Sequence, residues 1–467
     1  MEGGERVQSS ARSIGATASV TQPADTWFFG HPTGLATLFF TEMFERFSYY
    51  GMRAFLILYM TAPAATGGLA MVDEDAASLY GTYTGAVWGA AIVGGFVADR
   101  FLGQYRSVLL GGVAIMLGHF TLVFTALPFF YTGLALIVVG TGLLKPNVST
   151  LVGSLYATGD RRRDAGFSIF YMGINLGAVL GPLVAGYLAQ RVNWHIGFGC
   201  AGVGMLFGLA QYVLGKKRLQ PALNRVAARP PAAPVTASAA SATEREAGAL
   251  RFTRREWQRI GIIVILIAGV TLFWAGYEQA GSTLNLFAER YTRLEIFGFG
   301  FPSSWFQSVQ PFFVIVLAPV FAAVWIKLGR REPSVLGKFA FALFFMALAF
   351  LVLVPAGALA QNGDAIRVSP MWLVVAYFLS EIGELAISPV GLSAVTKLSP
   401  PRIVGLMMGC WFLGAAFGNK LAGWAAGFIG SLPLESLFAI VAGILIAGAI
   451  AMLILLRLVR GVVDEAR

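Results

Sequence analysis

The chain has 467 residues, 57% of them hydrophobic and 12% charged, with a mean hydropathy of +0.71. Soluble domains carry roughly 25% charged residues, so this balance excludes a soluble globular protein and points to an integral membrane protein. The formal net charge of +10 is spread over loops instead of forming a basic globular domain, which argues against nucleic acid as a partner.

Residues 1–30 lack a continuous apolar core and a cleavage pattern, so they read as a short cytoplasmic tail and not a signal peptide. Twelve apolar spans follow, at about 34–62, 77–99, 105–127, 131–156, 164–189, 194–215, 257–289, 303–327, 335–356, 369–397, 402–430 and 433–459. Runs of this length predict membrane helices; a β-barrel would show short alternating segments. The even-numbered loops hold Arg100, Arg106, Arg161 to Arg163, Lys327, Arg330, Arg331, Lys397 and Arg402, while the first odd loop holds Asp73, Glu74 and Asp75. The positive-inside rule then places both termini in the cytoplasm of a plasma (inner) membrane protein.

Residues 216–256 form the only long polar segment, opening on Lys216-Lys217-Arg218 and passing through Arg229-Pro230-Pro231 into an Ala/Ser-rich stretch. Such composition predicts a flexible cytoplasmic linker. It separates an N-terminal six-helix bundle (31–215) from a C-terminal one (257–460), with a cytoplasmic tail at 461–467. Six, linker, six is the outline of the major facilitator fold, an all-α membrane architecture whose halves rock about a central site. Gly94-Gly95 and Asp99 to Arg106 fit the cytoplasmic turn that this fold places between its second and third helices. There Asp99 and Arg106 are expected to tie helix ends together.

The first span departs from what a lipid-facing helix tolerates. Glu42, Arg46, Tyr49 and Arg53 recur on one stripe at about 100° per residue, with Glu45 beside it. Each such charge costs roughly 2.5–3.5 kcal/mol at a helix centre, so the stripe must face a polar cavity or opposite charges. A single ion pair cementing helices explains Glu42 with Arg46, but not two further charges and the adjacent Tyr49 and Tyr50. Lys145 lies far inside the fourth span, just before Pro146, too deep to snorkel to the surface. Asn175 lies in the fifth, where an amide also serves plain helix pairing. Trp274, Tyr277 and Glu278 share the seventh span, Gln310 lies in the eighth, and Glu381, Glu384 and Ser388 lie in the tenth.

These signs sort by half. Arg46, Arg53 and Lys145 belong to the N-terminal half, and Glu278, Glu381 and Glu384 to the C-terminal half. A cavity between the halves suits a zwitterion with separated charges, and a buried carboxylate released from a cation suits proton uptake. Tyr49, Tyr50, Tyr83, Trp88, Trp274, Trp305 and Trp411 are candidate pocket walls, although aromatics in membrane helices also pack or face lipid. Cys200 and Cys410 lack metal-ligand spacing and read as packing thiols.

At these residues the chain resembles the proton-dependent oligopeptide transporters of the major facilitator superfamily. Glu42-x-x-Glu45-Arg46-Phe47-x-Tyr49-Tyr50-Gly51 is similar to their first-helix motif, Phe170-Tyr171-x-x-Ile174-Asn175-x-Gly177 to their fifth-helix motif, and Gly383-Glu384 with Ser388-Pro389-Val390-Gly391 to their tenth-helix motif. The resemblance implies proton coupling at Glu42, Glu45, Arg46 and Glu278. It implies a peptide site at Arg46, Tyr49, Arg53, Lys145, Asn175, Trp274, Gln310, Glu384, Ser388 and Trp411. It also implies inter-half salt bridges Arg53–Glu278 and Lys145–Glu384 during alternating access. The implied partners are di- and tripeptides, protons and membrane lipid; no cofactor beyond the coupling proton is expected, and the chain is expected to act as a monomer. Tyr277 stands where bacterial members often carry a further glutamate, and Gln310 where they often carry Asn. The alternative reading is a facilitator for another amphoteric or anionic solute, such as an amino acid, nitrate or a peptide-like drug. No HExxH, GxSxG or Cys/His cluster supports a membrane enzyme.

Overall fold

The computed structural model describes residues 27–157, 159–228, 252–361, 367–400 and 403–458. Six long helical segments come before residues 229–251. They are α1 (Thr33–Thr61), α2 (Asp73–Val97), α3 (Gln104–Thr121), α4 (Leu127–Ser154), α5 (Arg162–Gly181) continued by the short α6 (Tyr187–Arg191), and α7 (Trp194–Leu214). Then comes α8 (Lys216–Ala227). After residues 229–251 come α9 (Arg254–Tyr277) with α10 (Thr283–Tyr291), α11 (Val309–Leu328), α12 (Val335–Gln361), α13 (Met371–Leu398), α14 (Val404–Ala426) and α15 (Leu434–Leu458). A two-stranded hairpin, β1 (Glu295–Ile296) with β2 (Phe299–Gly300), caps the loop after α10.

Nine helices among the described residues are long and apolar enough to span a bilayer by composition alone. The long helices outside that set are α1, α3 and α14, each diluted by polar residues: the charges of α1, Arg106 and His119 of α3, and Asn419 and Lys420 of α14. Within the first half α1 packs on α5 and α7, and α4 packs on α2 and α3; within the second, α12 packs on α13 and α15, and α9 on α14. The halves meet along α2 with α14 and α5 with α11.

Four details differ from the sequence reading. Lys216–Ala227, expected within a flexible linker, is a helix: Leu219 and Ala222, spaced i,i+3, are buried against the first half. Arg225 donates to the carbonyls of Ser154 (3.0 Å) and Leu155 (2.8 Å), closing the open end of α4. The second half begins at Arg254, where Thr253 and Glu256 form a capping box. Residues 27–30, expected in the tail, are anchored by Phe28, which is buried against Phe39, and just after them the His31 ring meets the Tyr156 hydroxyl at 2.9 Å. Asp99 accepts from Gln104 (2.9 Å), and no ion pair joins it to Arg106 among the described residues; Gly103 takes the positive φ of 72° that the turn requires. Most of the expected tail (1–26), the centre of the linker (229–251) and the last residues (459–467) lie outside the described residues.

Candidate functional site

One end of the molecule is shut where α1, α2 and α5 meet the second half. The Asn285 amide donates to the Ala54 carbonyl (2.8 Å), the Trp305 indole to the Leu183 carbonyl (3.0 Å), and the Ser308 hydroxyl to the Val179 carbonyl (2.7 Å). Arg290 grips Asp73 with two bonds of 2.6 and 2.7 Å. Along the α2–α14 seam a side chain on Gly81 would come within 2.8 Å of the Gly423 Cα, so backbone lies on backbone. Beside this contact the Lys420 ammonium donates to the Thr82 hydroxyl (2.7 Å) and the Ser78 hydroxyl (3.2 Å).

The other end is open. A cavity of about 1390 Å³ lies between α5, α11 and α13, lined among others by Phe167, Trp325, Lys338 and Lys397. It shares Tyr171, Ile174, Glu384 and Ser388 with a deeper cavity of about 290 Å³ at the centre of the molecule.

The deeper cavity collects most of the residues singled out in sequence. Glu42, Arg46 and Arg53 of α1, Lys145 of α4 and Asn175 of α5 face Trp274 and Glu278 beside α9, Gln310 of α11, and Glu384 and Ser388 of α13. Helical periodicity delivers the α1 stripe, but centred on Tyr50; Tyr49 is buried beside it, its ring 5.3 Å from that of Tyr50, and is not part of the lining. Glu45 is fully buried behind the lining in contact with Arg46. Trp411 also lies outside the lining, since its ring packs on Phe339 and fills the space left by Gly391.

Arg46 is held by Glu42 (3.1 Å) and Glu45, with its guanidinium 5.5 and 5.9 Å from the rings of Tyr49 and Tyr50. Two turns on, Arg53 pairs with Glu278 across the halves and donates to the Tyr80 hydroxyl (2.6 Å). Lys145 lies 3.3 Å from the centre of the Trp88 ring, and among the described residues no ion pair joins it to Glu384. Trp88 in turn lies 6.0 Å from Trp274, which meets Tyr277 edge-on at 5.1 Å. Tyr277 donates to Glu381 (2.8 Å), and Gln310 to Ser380 (3.2 Å). Tyr80 and Gln307, the latter donating to the Ala280 carbonyl (2.6 Å), complete the site from positions that carry no charge or motif in the sequence.

Two helical halves, one bringing Arg46, Arg53 and Lys145 with Glu42 and the other Glu278 and Glu384 to a cavity open at a single end, define a secondary transporter of the major facilitator architecture. The sequence matches the POT family over residues 105–229 and 233–438. It is 36% identical over 495 residues to the peptide transporter YePEPT of Yersinia enterocolitica subsp. palearctica, covering 94% of this chain and 96% of that one. It is 37% identical over 438 residues to a di-/tripeptide transporter of Lactococcus lactis subsp. cremoris, covering 83% and 87%. Its fold matches the crystal structure of a peptide transporter POT in complex with sulfate, with a TM-score of 0.85, 37% identity, and coverage of 94% of this chain and 97% of that one. The chain belongs to the POT family.

Proposed function

We propose that the protein is a symporter that imports di- and tripeptides with protons by alternating access, acting as a monomer in the plasma (inner) membrane with both termini in the cytoplasm. The observation that carries this reading is the polarity of the central cavity: Lys145, Arg46 and Arg53 on one wall, Glu384 and Glu278 on the other. Relatives named as peptide transporters support the substrate class. The Lys/Arg-rich loops at the open end support an inward-facing state, and the exposed apolar rings of Phe96, Phe207 and Trp424 support a lipid surround.

In this scheme the peptide carboxylate meets the Lys145 ammonium that Trp88 holds in place, and Arg53 and Arg46 add positive potential. The ammonium lies toward Glu384 and Ser388, while the amides of Asn175 and Gln310 bond the peptide backbone and Trp274 packs on a side chain. Arg46 cannot be left without a counter-charge inside the membrane, so a proton arriving on Glu42 or Glu45 weakens its hold and favours an incoming carboxylate. Arg53–Glu278 closes the outer end, and Lys145 with Glu384 pairs when the inner end shuts. No resident cofactor enters the scheme; the coupling ion is the proton.

The test is uptake of a labelled dipeptide into proteoliposomes with and without an inward proton gradient. Accumulation only with the gradient is expected. Uptake of nitrate or a free amino acid that dipeptides do not inhibit would overturn the reading.

A further inference from the structure

Behind the cavity wall of the C-terminal half lies a carboxyl that this scheme leaves unused. Glu381 of α13 is fully buried, one helical turn before Glu384. Its Oε1 accepts the Tyr277 hydroxyl at 2.8 Å, and its Oε2 has no hydrogen-bond partner although solvent does not reach it. Tyr277 lines the central cavity, and so does Gln310, whose amide holds the adjacent Ser380. Two cavity-lining residues from different helices thus grip two consecutive residues of α13.

Among the described residues no cation neutralises Glu381. The titratable groups around it are Tyr277 on α9, Glu384 and Tyr377 on α13, and Tyr171 on α5. Glu278, which follows α9, is paired with Arg53; on α12 Lys338 is paired with Glu332; on α14 Lys420 bonds to α2; and Lys327 lies in the last turn of α11. Among the described residues no ion pair reaches Glu381. A permanently charged carboxylate there has one neutral hydroxyl and no ion-pair partner to offset its desolvation, so the group must be able to carry a proton.

Its one hydrogen-bond partner also connects to the substrate site. Tyr277 packs on Trp274, Trp274 faces Trp88, and Trp88 carries the Lys145 ammonium. A ligand anion that engages Lys145 therefore acts on a chain of ring contacts ending at the hydroxyl that holds Glu381. The open end of the cavity adds direction: in this state Tyr277 donates to Glu381, the arrangement that favours a carboxylate which has just lost its proton.

We propose that Glu381 is a second proton-carrying carboxyl, on the C-terminal half, whose exchange with cavity water is controlled by Tyr277; this rests on the proton-coupled reading above. With the outer end open, a proton from cavity water forms an O–H bond on Glu381 and the side chain becomes neutral. With the inner end open, that bond breaks, the proton leaves to cavity water, and Tyr277 donates to the resulting carboxylate.

The experiment is the proton-to-peptide ratio of the full chain in proteoliposomes, read from the membrane potential at which net flux of labelled dialanine reverses. Two or more protons per peptide are expected for the native chain. Glu381→Gln should lower that ratio by about one proton while dialanine binding stays within about twofold. A carboxyl that stays neutral throughout is mimicked by Gln, so an unchanged ratio in that variant overturns the proposal. So does a native ratio of one, which decides the matter even if the variant fails to fold. Tyr277→Phe should shift the pH of half-maximal gradient-driven uptake, and an unshifted midpoint removes Tyr277 from the mechanism. Failure of the native chain to accumulate dialanine on a proton gradient would instead sink the underlying reading, which makes the two failures distinct.

Discussion

The guanidinium of Arg53 and the carboxylate of Glu278 meet inside the membrane from opposite halves of the molecule, so the closed end of the cavity is held by a buried ion pair. Breaking such a pair by removing one member leaves the other charged and unpaired, at a cost of about 3–5 kcal/mol. Arg53→Met or Glu278→Met is expected to lower the melting temperature in detergent clearly. The double replacement should recover much of the loss, since two apolar side chains of similar volume leave no orphaned charge. A thermal double-mutant cycle measures this, and simple additivity of the two losses would show that the pair is not coupled.

Trp88 and Lys145 form a second such relationship, within one half. A desolvated cation on an indole face is worth about 2 kcal/mol. Trp88→Leu should therefore leave the ammonium poorly placed and weaken binding of a dipeptide with a free carboxylate by about tenfold, with little effect on its C-terminal amide. Competition binding of the two ligands is the measurement. An equal loss for both would assign Trp88 to general packing.

At the α2–α14 seam a side chain at Gly81 collides with the backbone of Gly423. Gly81→Leu is expected to prevent closure of this end and abolish transport. It should also expose a cysteine placed at Ser78 to an impermeant thiol reagent in a Cys200→Ala, Cys410→Ala background. Lys420→Met, which removes donor bonds to the Thr82 hydroxyl and the backbone carbonyl of position 78, should increase labelling by several-fold without abolishing transport, consistent with about 1 kcal/mol of lost bonding.

The docked segment 27–32 carries a pH dependence. Burial and the neighbouring Arg162 push the His31 imidazole below its ordinary value of 6.5, against the opposing pull of Asp160. The undocked chain therefore binds the proton more readily than the docked one. Docking is complete above about pH 6.5 and weakens as the pH falls through the docked value. Hydrogen exchange of residues 27–32 should accelerate on acidification in the native chain. The acceleration should vanish in His31→Asn; its persistence there would place the sensitivity elsewhere.

The sequence exposed the parts of this molecule that rest on cost. Four charges in α1 and a lone Lys145 are too expensive to face lipid, and the structure lines one cavity with Glu42, Arg46, Arg53 and Lys145. What it concealed depends on helix rotation and on partners from other helices. Tyr49 and Tyr50 differ by one position and cannot be ranked without knowing how α1 turns toward α5. Trp411 looks like any pocket aromatic until Gly391 is placed against it. Tyr80 and Tyr277 acquire roles only through Arg53 and Glu381, which are distant in the chain. Helix α8 was hidden by its polarity: Leu219 and Ala222 are too small a face to stand out among Lys216, Lys217, Arg218 and Arg225.

The two ends of the cavity differ in stiffness. Where Gly81 meets Gly423, main chain rests on main chain, and neither surface has a rotamer to adjust. Approach of the halves there ends at a hard stop, which makes the shut position a single sharply defined geometry. The mouth between α5, α11 and α13 is bordered by Trp325 and Lys397, long side chains that yield by turning. Shutting that end is a soft contact, reached at a range of separations. A carrier built this way seals its shut end by fixed geometry and its open end by compliance, so ligands of different bulk disturb closure of the open end far more than that of the shut one.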